Sequence, residues 1–290
     1  MTHNLQTAVG GLSIGAVYAL VALGFSILFR TMGLVNFGHA DILMVGAFLA
    51  STFFVSDHLP FAAALVCATI AVAAMGFGFE RVLRPLERRD LDLMLIGTIG
   101  FGVILEGVAL VIWGSVGRAV PTPIRDTPFH IGGVVIRAYD VLVLCSAAAV
   151  MAALYLFLNH TKRGAAMQAA AMDYDAATAV GINVPSCNGQ AFALAGALAA
   201  IGGALVGPLV YVSVGMGGPI GIRGFAAAIL GGFGNIPGAI VGGLIFGLIQ
   251  SFAQGSSYGA YTDVITFLVF TAVVMIKPTG LLGEQTVSRP

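Results

Sequence analysis

Charge is scarce in this chain. Asp, Glu, Lys and Arg make up 9% of its 290 residues, against roughly a quarter in a soluble domain. Lysine is scarcest: Lys162 and Lys277 are the only two. Neither stands in a Gly-x-x-x-x-Gly-Lys-(Ser/Thr) loop, so the chain lacks the phosphate cradle of a P-loop ATPase. Three cysteines, Cys67, Cys145 and Cys187, form no Cys-x-x-Cys pair and indicate neither a disulfide framework nor a zinc site. His58, His130 and His160 lack metal-ligand spacing, and no Ser/His/Asp cluster or paired carboxylate points to catalysis. Net charge is zero, so bulk electrostatics name no partner, and no nucleic acid is expected. No polar segment is long enough for a separate soluble domain, and residues 1–290 read as one transmembrane domain.

Apolar residue types make up 58% of the chain, arranged in runs of about 20. At roughly 1.5 Å per residue such a helix crosses a hydrocarbon core of about 30 Å. Spans are predicted at about 8–29, 40–55, 61–79, 91–113, 141–158, 188–212, 238–253 and 262–276. A piece at 224–233 is too short to cross alone and fits a half-helix or re-entrant segment. The expected fold is an all-α, polytopic transmembrane helical bundle of about eight spans plus this partial one, with a possible inverted repeat. The N-terminus has no Lys or Arg, so the first run is read as a retained span rather than a cleaved signal.

Basic residues orient the bundle. Arg30, Arg81, Arg84, Arg88, Arg89, Lys162, Arg163, Lys277 and Arg289 fall on one side if the N-terminus is outside. Arg118, Arg125, Arg137 and Arg223 remain on the other. Nine against four places the first set in the cytoplasm, provided 224–233 takes part in a crossing. The outer loop 114–140 carries Pro121, Pro123 and Pro128 and an alternating Val-Val-Ile stretch, which suggests a short hairpin. Four Gly-x-x-x-Gly pairs, Gly11/Gly15, Gly203/Gly207, Gly238/Gly242 and Gly243/Gly247, favour close packing of helices within the chain.

Polar residues inside the spans are the candidates for function. Asn36, His39 and Asp41 open the second run. Asn36 and His39 share a helix face, and Asp41 points about 200° away from His39. A broken helix here would aim free N–H groups at an anionic group; the plainer reading is a cap with interfacial polar groups. Glu106 lies 15 residues into the fourth span, either as a pathway carboxylate or as a neutral group bonded between helices. Glu80 is expected to sit beside Arg81.

The loop 159–189 is not a flexible connector. Residues 164–180 are rich in alanine and free of proline, which predicts one short helix. Gly181 suits its end and Pro185 blocks continuation. Both a rigid lever to a soluble partner and an amphipathic helix on lipid headgroups fit this pattern.

Asp175-Ala176-Ala177 followed by Gly181-Ile182 and Pro185 resembles the Glu-Ala-Ala…Gly coupling motif of ABC-importer permeases. Gly15-Ala16-Val17-Tyr18-Ala19-Leu20, Val35-Asn36-Phe37-Gly38-His39, Arg84-Pro85-Leu86, Gly231–Ala239 and Lys277-Pro278-Thr279-Gly280-Leu281-Leu282-Gly283 resemble the LivH-type permeases of branched-chain amino-acid importers. Asp41, Glu106 and Gln168 depart from that pattern. The resemblance implies a single permease domain working with a second, LivM-like permease subunit, two cytoplasmic ABC ATPases and a periplasmic substrate-binding protein in a bacterial inner membrane. ATP and Mg would be bound by the ATPases, with no cofactor in this chain and no enzyme activity of its own. Asn36, His39, Asp41 and Glu106 are the substrate-pathway candidates, and Asp175, Ala176, Ala177, Gly181 and Ile182 the coupling candidates. A permease for urea, amides or small carboxylates, and an ion-coupled secondary transporter, are the alternatives.

Overall fold

The computed structural model describes residues 2–87, 91–124, 128–131 and 134–283. Arg88, Arg89, Arg125 and Arg289 of the orientation argument lie outside the described residues. The helices are α1 (Thr2–Met32), α2 (His39–Ser51), α3 (Phe61–Glu87), α4 (Leu91–Trp113), α5 (Ala138–His160), α6 (Lys162–Met172), α7 (Tyr174–Ala179), α8 (Val184–Val206), α9 (Gly217–Gly231), α10 (Ile236–Gln254) and α11 (Thr262–Ile276). A π-helical turn, Thr52–Ser56, extends α2. Strands β1 (Phe129–Ile131) and β2 (Val134–Ile136) pair antiparallel, the hairpin expected in the outer loop. Among the described residues eight helices are long and apolar enough to cross a membrane, in the eight places predicted.

The partial piece differs from its prediction. Helix α9 starts at Gly217, seven residues before the apolar run, because Pro219 is tolerated in a first helical turn. The two ends of the segment that contains it lie at opposite faces of the bundle. After α9, Phe233 packs edge-on against Phe29 at the end of α1, with ring centroids 4.5 Å apart. Before it, Val212 pairs with Arg118, just past the end of α4. The ends of α1 and α4 face opposite ways in an alternating bundle, so the segment 207–231 completes a crossing.

The helix packing is pseudo-symmetric. Helix α1 packs most extensively on α10, and α8 on α3; α1 also packs on α8 and α9, and α8 on α2. Exchanging α1–α4 for α8–α11 maps these packings onto one another, which is the inverted repeat. Helix α1 is the axis: every side chain from Val17 to Leu23 is fully buried.

Glycine makes such closeness feasible, since a side chain would hold the backbones apart. A Cβ on Gly15 would touch the Gly243 carbonyl at 3.0 Å, and one on Gly247 would strike Gly15 itself. The Gly-x-x-x-Gly pairs of α1 and α10 thus pack against each other. Gly196 does the same work in the other half, where a Cβ would meet the Val72 carbonyl of α3 at 2.8 Å. Helices α8 and α10 also begin alike: Asn183 and Asn235 accept from Ser186 N and Gly238 N at 3.1 and 2.8 Å, with proline in the first turn. This is N-capping followed by a residue preset for the helix.

Candidate functional site

Two helices begin inside the bundle rather than at its surface. Helix α1 ends at Gly33, which has φ +67°, and residues 34–38 turn back inward. A Cβ on Gly38 would meet the Thr98 carbonyl at 2.6 Å. Thr98 lies seven residues into α4, about 10 Å along that helix. Its hydroxyl accepts from Phe37 N at 3.2 Å and anchors the break. The first turn of α9 lies against the first turn of α2: a Cβ on Gly217 would strike the Ala40 carbonyl, and one on Gly221 the Ala40 side chain. Gly38 and Gly46 are likewise close-approach positions, Gly46 against Ala200 of α8.

Beside this meeting point is a cavity of about 280 Å3 lined by Asp41, Glu106, Gly218 and Gly221, with Phe25, Phe37 and Phe225 among its apolar walls. Asp41 and Glu106, 65 residues apart in sequence, are brought together in the lining of this one cavity. A Cβ on Gly102 would collide with the Asp41 carboxylate, so glycine opens the space into which Asp41 points. At the start of α2, His39 N and Asp41 N already donate to the Asn36 and Gly38 carbonyls at 3.1 Å, so what the two helix starts offer here is the positive end of their dipoles. Two carboxylates in an apolar setting attract a cation, two helix N-termini attract an anion, and the phenylalanines accept an apolar body. The mouth is open, with Phe37 47% exposed.

Asn36 and His39 do not line the cavity. Both are fully buried. The His39 ring lies edge-on to Phe25, with centroids 4.7 Å apart, and fills the gap left by Gly24. Asn36 makes no side-chain cap; its carbonyl accepts from His39 N at 3.1 Å, while its side-chain amide has no partner among the described residues. They hold the break from behind, while Asp41, 200° round the helix, faces the cavity. Glu80 also departs from expectation. It is bound by Arg84, one turn on, at 3.0 and 2.8 Å, because i,i+4 partners share a face and adjacent residues do not. Arg81 lies over the Phe77 ring instead. Arg84 further reaches the Pro185 carbonyl at 3.3 Å, tying α3 to the start of α8.

The loop 159–189 forms two helices, not one. Asp173 adopts an extended conformation between α6 and α7, and its side chain accepts from Ala176 N at 2.9 Å. An aspartate that can cap a new helix competes with continuing the old one. Gln168 of α6 donates to the Leu158 carbonyl at 2.6 Å and binds the pair to α5. Helix α7 ends in a Schellman motif: Gly181 has φ +87°, Ile182 N donates to Ala177 O and Gly181 N to Thr178 O, both at 3.0 Å. Ala177 is buried, while Asp175 and Ala176 are exposed. A Cβ on Gly181 would meet open space, so its requirement is conformational, not steric.

Sequence reading missed the phenylalanine walls, Thr98 and the partners of Arg223. The signal for Arg223 was present, as a lone charge in an apolar run, but served only to orient loops.

A polytopic bundle with two broken helices meeting at an amphiphilic cavity, and a capped helix pair on one face, is a membrane-transport permease. The family described as branched-chain amino acid transport system / permease component matches residues 7–274, and the chain belongs to that family. It is 33% identical to the high-affinity branched-chain amino acid transport system permease protein BraD of Pseudomonas aeruginosa, over 99% of this chain and 98% of that one. It is 29% identical, with the same coverage, to the permease protein LivH of Escherichia coli. It is 26% identical to a probable LivH of Methanocaldococcus jannaschii, over 94% of this chain and 91% of that one.

Proposed function

We propose that this permease moves branched-chain or other apolar amino acids, with the Asp41–Glu106 cavity on the path. The observation that carries this reading is the pairing of two carboxylates with two helix N-termini in one phenylalanine-walled cavity. An α-amino acid offers an ammonium to the first, a carboxylate to the second and an apolar side chain to the walls. Asn36 and His39 keep the α2 break in shape. The cavity's open, apolar mouth is suited to a second, LivM-like permease subunit that completes the path.

Energy comes from two cytoplasmic ABC ATPases that bind ATP and Mg, and cargo from a periplasmic binding protein; the chain is not itself an enzyme. Helices α6 and α7 dock in an ATPase groove through Asp175 and Ala176, held by Ala177, Gly181 and Ile182. The bundle sits in an inner membrane with its N-terminus periplasmic and its C-terminus cytoplasmic.

The test is uptake of leucine by the whole complex in proteoliposomes. Asp41→Asn combined with Glu106→Gln is expected to lower uptake about tenfold or more, the scale of a lost charge-assisted contact. Basal ATP hydrolysis should persist. Unchanged uptake would overturn the assignment of this cavity.

A further inference from the structure

On the opposite side of α9 lies a second polar region. Gly218, Gly221, Ile222 and Phe225 face the acidic cavity. Arg223 is about 200° round the helix from Gly221 and faces away from it. It lines two adjoining cavities of about 420 Å3 each, between α1, α9, α10 and the start of α11, and Gln250 and Gln254 line both as well.

Arg223 pairs with Asp263 in the first turn of α11 at 2.8 Å. The Asp263 side chain is 63% exposed, so water competes for it and the pair is readily exchanged. Tyr18, which is almost wholly buried, lines the second of these cavities together with Arg223 and Gln250, so the guanidinium and the amide border one space. Gln250 Oε1 is buried there and has no hydrogen-bond partner among the described residues. A buried acceptor without a donor is unfavourable. A simple anion would satisfy Arg223 and leave Gln250 Oε1 unmet. A molecule carrying both an anionic acceptor and an N–H donor on neighbouring atoms satisfies both.

We infer that the pocket between Arg223 and Gln250 is a second binding site for a zwitterionic α-amino acid. Its carboxylate takes the place of Asp263 on the Arg223 guanidinium, and its ammonium donates to Gln250 Oε1. The site opens toward the Asp263 end of the bundle and is separated from the Asp41–Glu106 cavity by the thickness of α9. The inference rests on the amino-acid cargo proposed above.

The test is equilibrium binding of radiolabelled L-leucine to the permease complex in nanodiscs, without nucleotide or binding protein. In an Asp41→Asn/Glu106→Gln background, leucine binding should remain. Arg223→Gln or Gln250→Leu should then weaken it about tenfold. Asp263→Asn removes the internal competitor and should tighten binding about threefold or more, a gain that misfolding cannot mimic. Isoamylamine and 4-methylpentanoate, each lacking one charged group, should compete poorly. Leucine binding that the Asp41/Glu106 changes abolish entirely would overturn this site alone. So would unchanged or weaker binding in Asp263→Asn. A wild-type complex that neither binds nor takes up leucine would overturn the cargo assignment as well; one that takes it up without measurable binding would overturn only the second site.

Discussion

Helix α2 carries Asp41 in its first turn, and helix α9, its counterpart in the other half, carries Arg223. Both helices begin inside the bundle after a glycine-bearing break, and their first turns touch. The surrounding packing of α1–α4 and α8–α11 is repeated, but the half-buried charge changes sign. In the first half an acid is left to face another acid, Glu106, across a cavity. In the second a base is given a partner, Asp263, at the surface. A repeated scaffold therefore does not require repeated chemistry. Contacts between backbones depend on small residues, whereas the charges sit on faces those contacts leave free.

The sharpest way to break the comparison is at the seams. Gly243→Leu forces α10 away from α1, and Gly196→Leu forces α8 away from α3. Each should destabilise by more than about 3 kcal/mol, because overpacking here meets backbone and not a movable side chain. Thermal unfolding in detergent measures both. If only one is harmful, the halves are not structural equivalents.

A smaller and more selective effect is expected in the connector between the halves. Ala177→Arg forces a long charged side chain under α7 and lifts the helix from its seat, a local effect because the guanidinium can still reach water. The subunit should insert normally while transport falls and the binding protein's affinity for cargo is unchanged. Gly181→Asp acts in the same direction more mildly, through a left-handed backbone position disfavoured by about 1 kcal/mol. Normal transport and ATPase stimulation in both variants would remove α7 from the coupling role.

The smallest effects separate the two asparagine caps. Asn183→Ala should cost about 1 kcal/mol of stability. Asn235→Ala should cost more, since Asn235 also donates to the Leu282 carbonyl at 2.8 Å. Equal melting shifts would mean that this extra bond contributes nothing.

Much of this architecture was legible in the residue string. Apolar runs of span length placed eight helices, and Gly-x-x-x-Gly pairs pointed to close helix packing within the chain without naming α1 and α10 as partners. The turn after α7 was readable because Gly181 and Pro185 act locally. The α6–α7 break was not: Asp173 reads as an ordinary surface residue until its side chain is seen capping Ala176 N. The site was half legible. Asp41 and Glu106 stood out as acids within apolar runs, yet nothing local shows that residues 65 apart share a cavity. Their spacing set Asn36 and His39 on one helix face and Asp41 about 200° away, without telling which face meets the cavity. Only the direction in which the broken helix enters puts them behind the cavity and Asp41 within it.

The stretch after α11 folds back onto the end of α9. Leu281 N and Leu282 N donate to the Leu230 and Gly231 carbonyls at 2.8 and 2.9 Å, and Gly280 and Gly283 press on Gly232. These carbonyls belong to a helix terminus that has no partners of its own. During synthesis they wait for residues that leave the ribosome about 50 positions later, seconds at ordinary elongation rates. The end of the broken helix that carries Arg223 is thus satisfied only after α11 has been made, so this helix is capped by a segment that reaches it across another span.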